Sequence, residues 1–104
     1  MLDGASIQSI SASVGTNLTA FSNSVLVTGN NSTWTNQGDL EIGHASNTGN
    51  YVTVENGGTI QVGALSIAGD NNFNLNTNGH LIVTNDFNVT TVQKFNWNSN
   101  SKLS

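Results

Sequence analysis

The chain has 104 residues, a net charge of −4 and only two cations, Lys94 and Lys102, so it holds one domain and cannot neutralise a run of phosphates. That argues against nucleic acid and anionic membrane surfaces as partners, and no apolar run approaches the length of a membrane span. With 36% hydrophobic and 8% charged residues, 18 Asn and 11 Gly, the chain is polar without being ionic, which disfavours charged disorder and helices alike and predicts an all-β fold.

Two residue types are missing. Without cysteine there is no disulfide and no thiolate metal site. Without proline every backbone N–H is available to a neighbouring strand, as a stack of strands requires.

Residues 1–24 read in two ways. Ile7, Ile10, Val14, Leu18 and Phe21 fall at helical spacing, as in a short cap over the end of a coil. Ile10, Ala12 and Val14 also alternate with Ser11 and Ser13 as a strand does, and the serine density with Gly15 favours strands, an irregular first rung. Met1-Leu2-Asp3-Gly4 is neither basic nor apolar, so it is not expected to open a signal peptide.

From Val25 a repeat can be followed. Leu40-Glu41-Ile42 recurs as Leu65-Ser66-Ile67 and as Phe87-Asn88-Val89, at steps of 25 and 22 residues. Val52-Thr53-Val54 recurs as Phe73-Asn74-Leu75, each followed by an Asn-Gly turn and a further apolar residue, Ile60 and Leu81. Val25-Leu26-Val27, with Trp34 after its turn, begins the series. Each unit carries three short strands with apolar residues at i and i+2, the period of a half-buried strand. Units of this length predict a parallel β-helix (β-solenoid) of about three to four rungs, three short strands per rung, with rungs about 4.8 Å apart, and the usual rule for parallel crossovers makes it a right-handed parallel β-helix. Asn-Gly also favours hairpins, and hence an antiparallel sandwich, but hairpin pairing does not require equivalent residues to recur in the same order.

Residues 90–104 are expected to leave the repeat. Phe95 and Trp97 suit a C-terminal cap, and residues 98–104 a frayed polar tail. The expected organisation is thus 1–24 as irregular first rung or N-terminal cap, 25–89 as solenoid repeats and 90–104 as cap and tail.

The run Trp34-Thr35-Asn36-Gln37-Gly38-Asp39-Leu40-Glu41-Ile42-Gly43, followed by Val52-Thr53-Val54-Glu55-Asn56-Gly57-Gly58-Thr59-Ile60, resembles repeats of bacterial autotransporter passenger domains and of surface proteins with a PEP-CTERM sorting signal. The resemblance covers about residues 25–89. It implies an extracellular or cell-surface location and a stalk, spacer or adhesive role without a catalytic motif.

Candidate chemistry is sparse. Asp39, Asp70 and Asp86 sit in or beside turns, where a carboxylate caps its own backbone. Glu41 and Glu55 are expected to point outward from neighbouring strands, the one pair close enough to suggest a glycosidase. The chain has no arginine, and an enzyme is not expected. His44 and His80 lack acids at ligand spacing, and Gly69-Asp70-Asn71-Asn72-Phe73-Asn74 only faintly resembles a calcium loop, so neither metal nor cofactor is expected. Thr35, Thr53, Thr59 and Thr84 do not build a Thr-x-Thr ladder from rung to rung, which disfavours an ice-binding array. Trp34, Tyr51 and Trp97 can form an aromatic platform for a sugar ring, the alternative being that Trp34 shares the inward position of Ile60 and Leu81 and that Trp97 caps.

Two functions follow. The leading one is a non-catalytic structural and interaction module, a short segment of an exported bacterial adhesin-like surface protein, self-associating into a homo-oligomer or end to end and meeting a surface glycan or protein. The alternative is a carbohydrate-binding module using exposed aromatics with Asn and Gln side chains.

Overall fold

A computed structural model describes residues 4–17, 19, 21–43, 48–88 and 94–104, with side chains at the same positions except 87 and 88. The strands are β1 (Ser6–Ser9), β2 (Ala12–Val14), β3 (Ser24–Thr28), β4 (Thr33–Asn36), β5 (Asp39–Ile42), β6 (Thr48–Glu55), β7 (Thr59–Ile67), β8 (Asp70–Leu75), β9 (His80–Asn88), β10 (Phe95–Trp97) and β11 (Lys102–Leu103). Each described strand pairing is parallel, and together they wind a β-solenoid of about three turns.

Each full turn has three faces. The first is the sheet β3-β6-β8-β10. The second stacks β1, β4, the leading half of β7, the leading half of β9, and β11. The third stacks β2, β5 and the trailing halves of β7 and β9. The repeats read from the sequence fall into register: Leu40 pairs with Leu65 and Leu65 with Phe87, Val52 with Phe73, and Trp34 with Ile60 and Ile60 with Leu81.

Period-2 alternation turns one side of every strand inward, so the core is a set of vertical columns. One runs Val25, Val52, Phe73, Phe95; another runs Val27, Val54, Leu75, Trp97. The second face contributes Ile7, Trp34, Ile60, Leu81 and Leu103, and the third contributes Val14, Ile42 and Ile67. The interior members of these columns, together with Leu40 and Leu65 stacked on the third face, are almost wholly withdrawn from water. Phe73 and Phe95 continue their column as stacked rings, 5.5 Å between centroids and 6° from parallel.

The corners explain the Gly and Asn content. Between the first and second faces lie four-residue turns closed by Ser32 N–H on the Gly29 carbonyl, Gly58 N–H on that of Glu55 and Gly79 N–H on that of Asn76. The third residue of each takes positive φ: Asn31 at 69°, Gly57 at 93° and Asn78 at 62°. Asn and Gly tolerate that region best. These turns pass the chain from one sheet to the other, so the flanking strands never pair as a hairpin. Between the second and third faces the backbones approach closely. A Cβ at Gly63 would lie 2.5 Å from the Gln37 carbonyl oxygen, which only glycine avoids.

The sequence leaves the first end of the chain open between strands, the favoured reading, and a helical cap, and it predicts that the last end frays. Residues 6–9 and 12–14 are strands on β4 and β5, so Ile7 stands over Trp34 and Val14 over Ile42. Ile10 sits at the bend between them, 77% exposed, off the line that a helical face would require. At the other end, residues 98–104, expected to fray, complete another partial turn. Phe95 pairs with Phe73 and Lys102 with His80, and the Ser104 carbonyl accepts from Val83 N–H at 2.9 Å. The reason is a further copy of the repeat: Phe95-Asn96-Trp97-Asn98-Ser99-Asn100-Ser101-Lys102-Leu103 follows Phe73-Asn74-Leu75-Asn76-Thr77-Asn78-Gly79-His80-Leu81. Asn100, with φ of 60°, takes the turn position of Asn78.

Candidate interaction surfaces

Three surfaces carry the features from which a function can be argued. The first is the pair of open coil ends. Among the described residues no strand lies beyond β1, β2 and β3 at one end, or beyond β10, β11 and the trailing half of β9 at the other. These strands are the edges of the two sheets, and among the described residues no further rung covers the inward side chains there. Ile7 is 46% exposed and Trp97 58%, although both belong to columns that are buried elsewhere.

The second is the outer side of the first face. Thr53, Asn74 and Asn96 form one outward column there, because β6, β8 and β10 stack in register. Asn96 Nδ2 donates to Asn74 Oδ1 at 2.7 Å, and Asn74 Nδ2 to Thr53 Oγ1 at 3.2 Å. A parallel line runs at the strand ends, where Asn98 Nδ2 donates to Asn76 Oδ1 at 2.5 Å and Asn76 Nδ2 to Glu55 Oε1 at 3.3 Å. Tyr51, 42% exposed, pairs with Asn72 on the same face.

The third is a cleft of about 390 Å³ at the bend between the second and third faces, lined by Gln8, Ser9, Ile10, Thr35 and Gln37.

Below these surfaces lies a second amide ladder, buried at Asn50 and Asn71 and exposed at Asn23 on the first rung. Asn23, Asn50 and Asn71 occupy the inward position two residues before the apolar pair of β3, β6 and β8. Asn50 Oδ1 accepts from Asn23 N–H, and Asn71 Oδ1 accepts from both Asn50 N–H and Asn50 Nδ2. Asn71 Nδ2 closes the corner on the Ala68 carbonyl at 2.5 Å. Gly43 makes room for it: φ is +80°, and a Cβ there would run into the Asn71 side chain. The sequence carried this signal, Asn-x-apolar-x-apolar three times over, but in so Asn-rich a chain it does not stand out.

The residues singled out for chemistry are dispersed. Glu41 lies on β5, flanked by Ser13 and Ser66, while Glu55 lies on β6 of the other sheet beside Thr28. The topology therefore sends the two carboxylates to different faces and builds no glycosidase pair from them. Asp39 and Asp86 share one outward column with Ala64 between them. Asn71 of the calcium-like segment spends its oxygen on Asn50. Asn74 Oδ1 accepts one hydrogen bond from Asn96, on the outer side of the sheet, while Asn71 is turned inward, so the two do not converge on one cation site.

His80 sits between Thr59 and Lys102 in an outward column, with Nε2 2.9 Å from Ser104 Oγ. Partial burial, and secondarily the Lys102 charge, hold its pKa below the ordinary 6.5. His44 lies outside the described residues. Among the described residues no three His, Asp or Glu side chains cluster as metal ligands. Thr33 stacks on Thr59, but Thr35 stacks on Gln61 and Thr53 on Asn74, so threonines do not form a continuous column.

The aromatic platform is divided. Trp34, a candidate ligand-facing residue, is 8% exposed in the core, with its indole N–H donating to Ser9 Oγ at 3.1 Å. It is withdrawn from any ligand because its position in β4 has inward parity with Ile60. Tyr51 remains on the outer side of the first face and Trp97 at the last rung. The two share neither a column nor a strand.

Compared with known protein families, curated proteins and solved structures, the chain gives no match.

Proposed function

We propose that this chain is a non-catalytic structural and interaction module, a solenoid segment that extends by stacking on further rungs, here those of a second copy. The observation that carries the reading is the complementarity of the two ends. Every rung presents the same three parallel strands, so the edges of β10 and β11 suit the edges of β3 and β1 of a following copy. Val27 and Val25 of the following copy would then continue the columns after Trp97 and Phe95, as Leu75 and Phe73 follow Val54 and Val52 within the chain. Such a contact is heterologous and does not close on itself, so it yields linear assemblies rather than a dimer. An exported, adhesin-like setting is supported by the autotransporter-type run in residues 34–43 and 52–60. The dispersal of Glu41 and Glu55 supports a role without catalysis.

Light scattering across a concentration series tests the reading. The expected result is a mass that climbs with concentration, and that returns to the monomer in Trp97→Glu, which places a charge in the stacking column. A monomer at every concentration would overturn self-association.

A second reading, carbohydrate binding, loses Trp34 to the core. What favours it is the amide-lined outer side of the first face.

A further inference from the structure

We infer that the outer side of the sheet β3-β6-β8-β10 is a binding surface for a neutral polysaccharide chain, with Tyr51, Asn74, Asn76, Asn96 and Asn98 as its contact residues. This rests on the carbohydrate reading and is independent of end-to-end stacking.

The argument begins with geometry. Stacked parallel strands place outward side chains on a lattice of about 4.8 Å between rungs and about 6.6 Å between alternate residues of a strand. Such a grid offers repeated, evenly spaced contacts, which suits a polymeric ligand better than a single small molecule. The chemistry of the grid is uniform. A primary amide has two N–H donors and a carbonyl with two lone pairs. The ladder uses one N–H from each of Asn74, Asn76, Asn96 and Asn98, and one acceptor site on Asn74 and Asn76. Donor and acceptor capacity is left over on each, side by side, matching a sugar hydroxyl, which both donates and accepts.

The ladder also fixes the amides in advance. A side chain already held by its neighbours loses little rotamer freedom when a ligand arrives, so a weak hydroxyl contact is not cancelled by ordering entropy. Tyr51 adds a part-exposed ring beside Asn72, an apolar plate with a polar tip, suited to the C–H face of a pyranose.

Charge selects the class of polymer. The central positions Thr53, Asn74 and Asn96 are uncharged, and Glu55 and Asp70 stand at opposite ends of the strands. Glu55 and Asp70 outnumber the single cation of this sheet's margins, Lys94 just before β10, so the surface does not favour a polyuronate, and the neutral centre offers a polycation nothing to pair with. A neutral glycan is the remaining match.

The test is affinity electrophoresis of the full chain in native gels. The gels contain hydroxyethyl cellulose, glucomannan or, as the anionic arm, polygalacturonate, with a polymer-free gel as reference. Tyr51→Ala and Asn96→Ala are run beside the parent after circular dichroism shows that both fold; each alters an exposed side chain. The expected result is retardation by at least one neutral polymer, undiminished at high salt and weakened at least tenfold in both variants. Retardation by a neutral polymer that survives both substitutions overturns this surface and leaves carbohydrate binding standing elsewhere on the chain. Retardation by polygalacturonate alone overturns the neutral class and leaves the broader reading standing. No retardation in any gel overturns both.

Discussion

Asn50 Nδ2 donates to Asn71 Oδ1 at 2.9 Å, and neither side chain is exposed to solvent. The same oxygen receives Asn50 N–H, so one amide satisfies a backbone donor and a side-chain donor at the corner where the third face meets the first. A polar residue is tolerated in an inward column here because its hydrogen bonds are made to the equivalent residue of the next rung.

Removing one member should therefore cost more than its own contacts. Asn71→Ala leaves Asn50 N–H and Nδ2 without that acceptor in a dry site, and each such loss costs about 1–3 kcal/mol. The expected destabilisation is about 2–4 kcal/mol, read as a lower urea midpoint with unchanged slope. A change below about 0.5 kcal/mol would mean that the ladder carries little of the fold's stability. Surface Asn78→Ala is not an adequate control, because Asn78 holds a positive-φ turn. Asn30→Ala, at an exposed turn position with negative φ, is a better one.

The stacked rings of Phe73 and Phe95 divide the last rung from the rest of the coil. Phe73 is fully buried and Phe95 half-buried, so Phe73→Ala should cost about 3–5 kcal/mol and Phe95→Ala clearly less. Their coupling in a double-mutant cycle is expected at about 0.5–1.5 kcal/mol, the usual value for an aromatic pair. Thermal or urea unfolding of the four proteins measures it. Zero coupling would show that β10 does not hold its place on β8 in solution.

His80 sets an acid-side dependence of stability. Its folded pKa lies below the ordinary 6.5, so over that interval the unfolded chain binds more protons than the folded one. Its contribution is fully present above about pH 6.5 and is lost as pH falls through the depressed folded value. The ring is largely solvated, so the effect is small and screened by salt. Unfolding midpoints between pH 7.5 and pH 5 should fall less steeply in His80→Asn than in the parent, and Lys102→Gln should flatten the parent's slope in part. Equal slopes in all three would remove His80 as the cause.

The architecture was legible because a solenoid writes its tertiary structure into local sequence. A strand buried on one side alternates with period 2, and stacking in register makes equivalent positions alike, so the columns Leu40–Leu65–Phe87 and Val52–Phe73 can be read as text. The last rung was legible too, in the match of residues 95–103 to 73–81, but Trp97 and Lys102 in place of Leu75 and His80 disguised it. The first rung was harder, since Ile10 and Val14 satisfy both periods and Ile7 joins them only at helical spacing. Only the availability of β4 and β5 as partners decides for strands.

The sequence by itself determined the class of fold, the order of strands and the inward set of side chains, because alternation and repetition are local properties. The tertiary structure alone decided which polar residues are buried and which acidic residues meet. Asn50 and Asn74 are the same residue type on neighbouring strands, yet one faces inward at a corner and the other lies on an outer ladder. Glu41 and Glu55 are fourteen positions apart in the chain, and a corner carries them to different faces. A corner changes the direction of the chain without leaving a periodic mark, so proximity across it depends on how the whole turn closes.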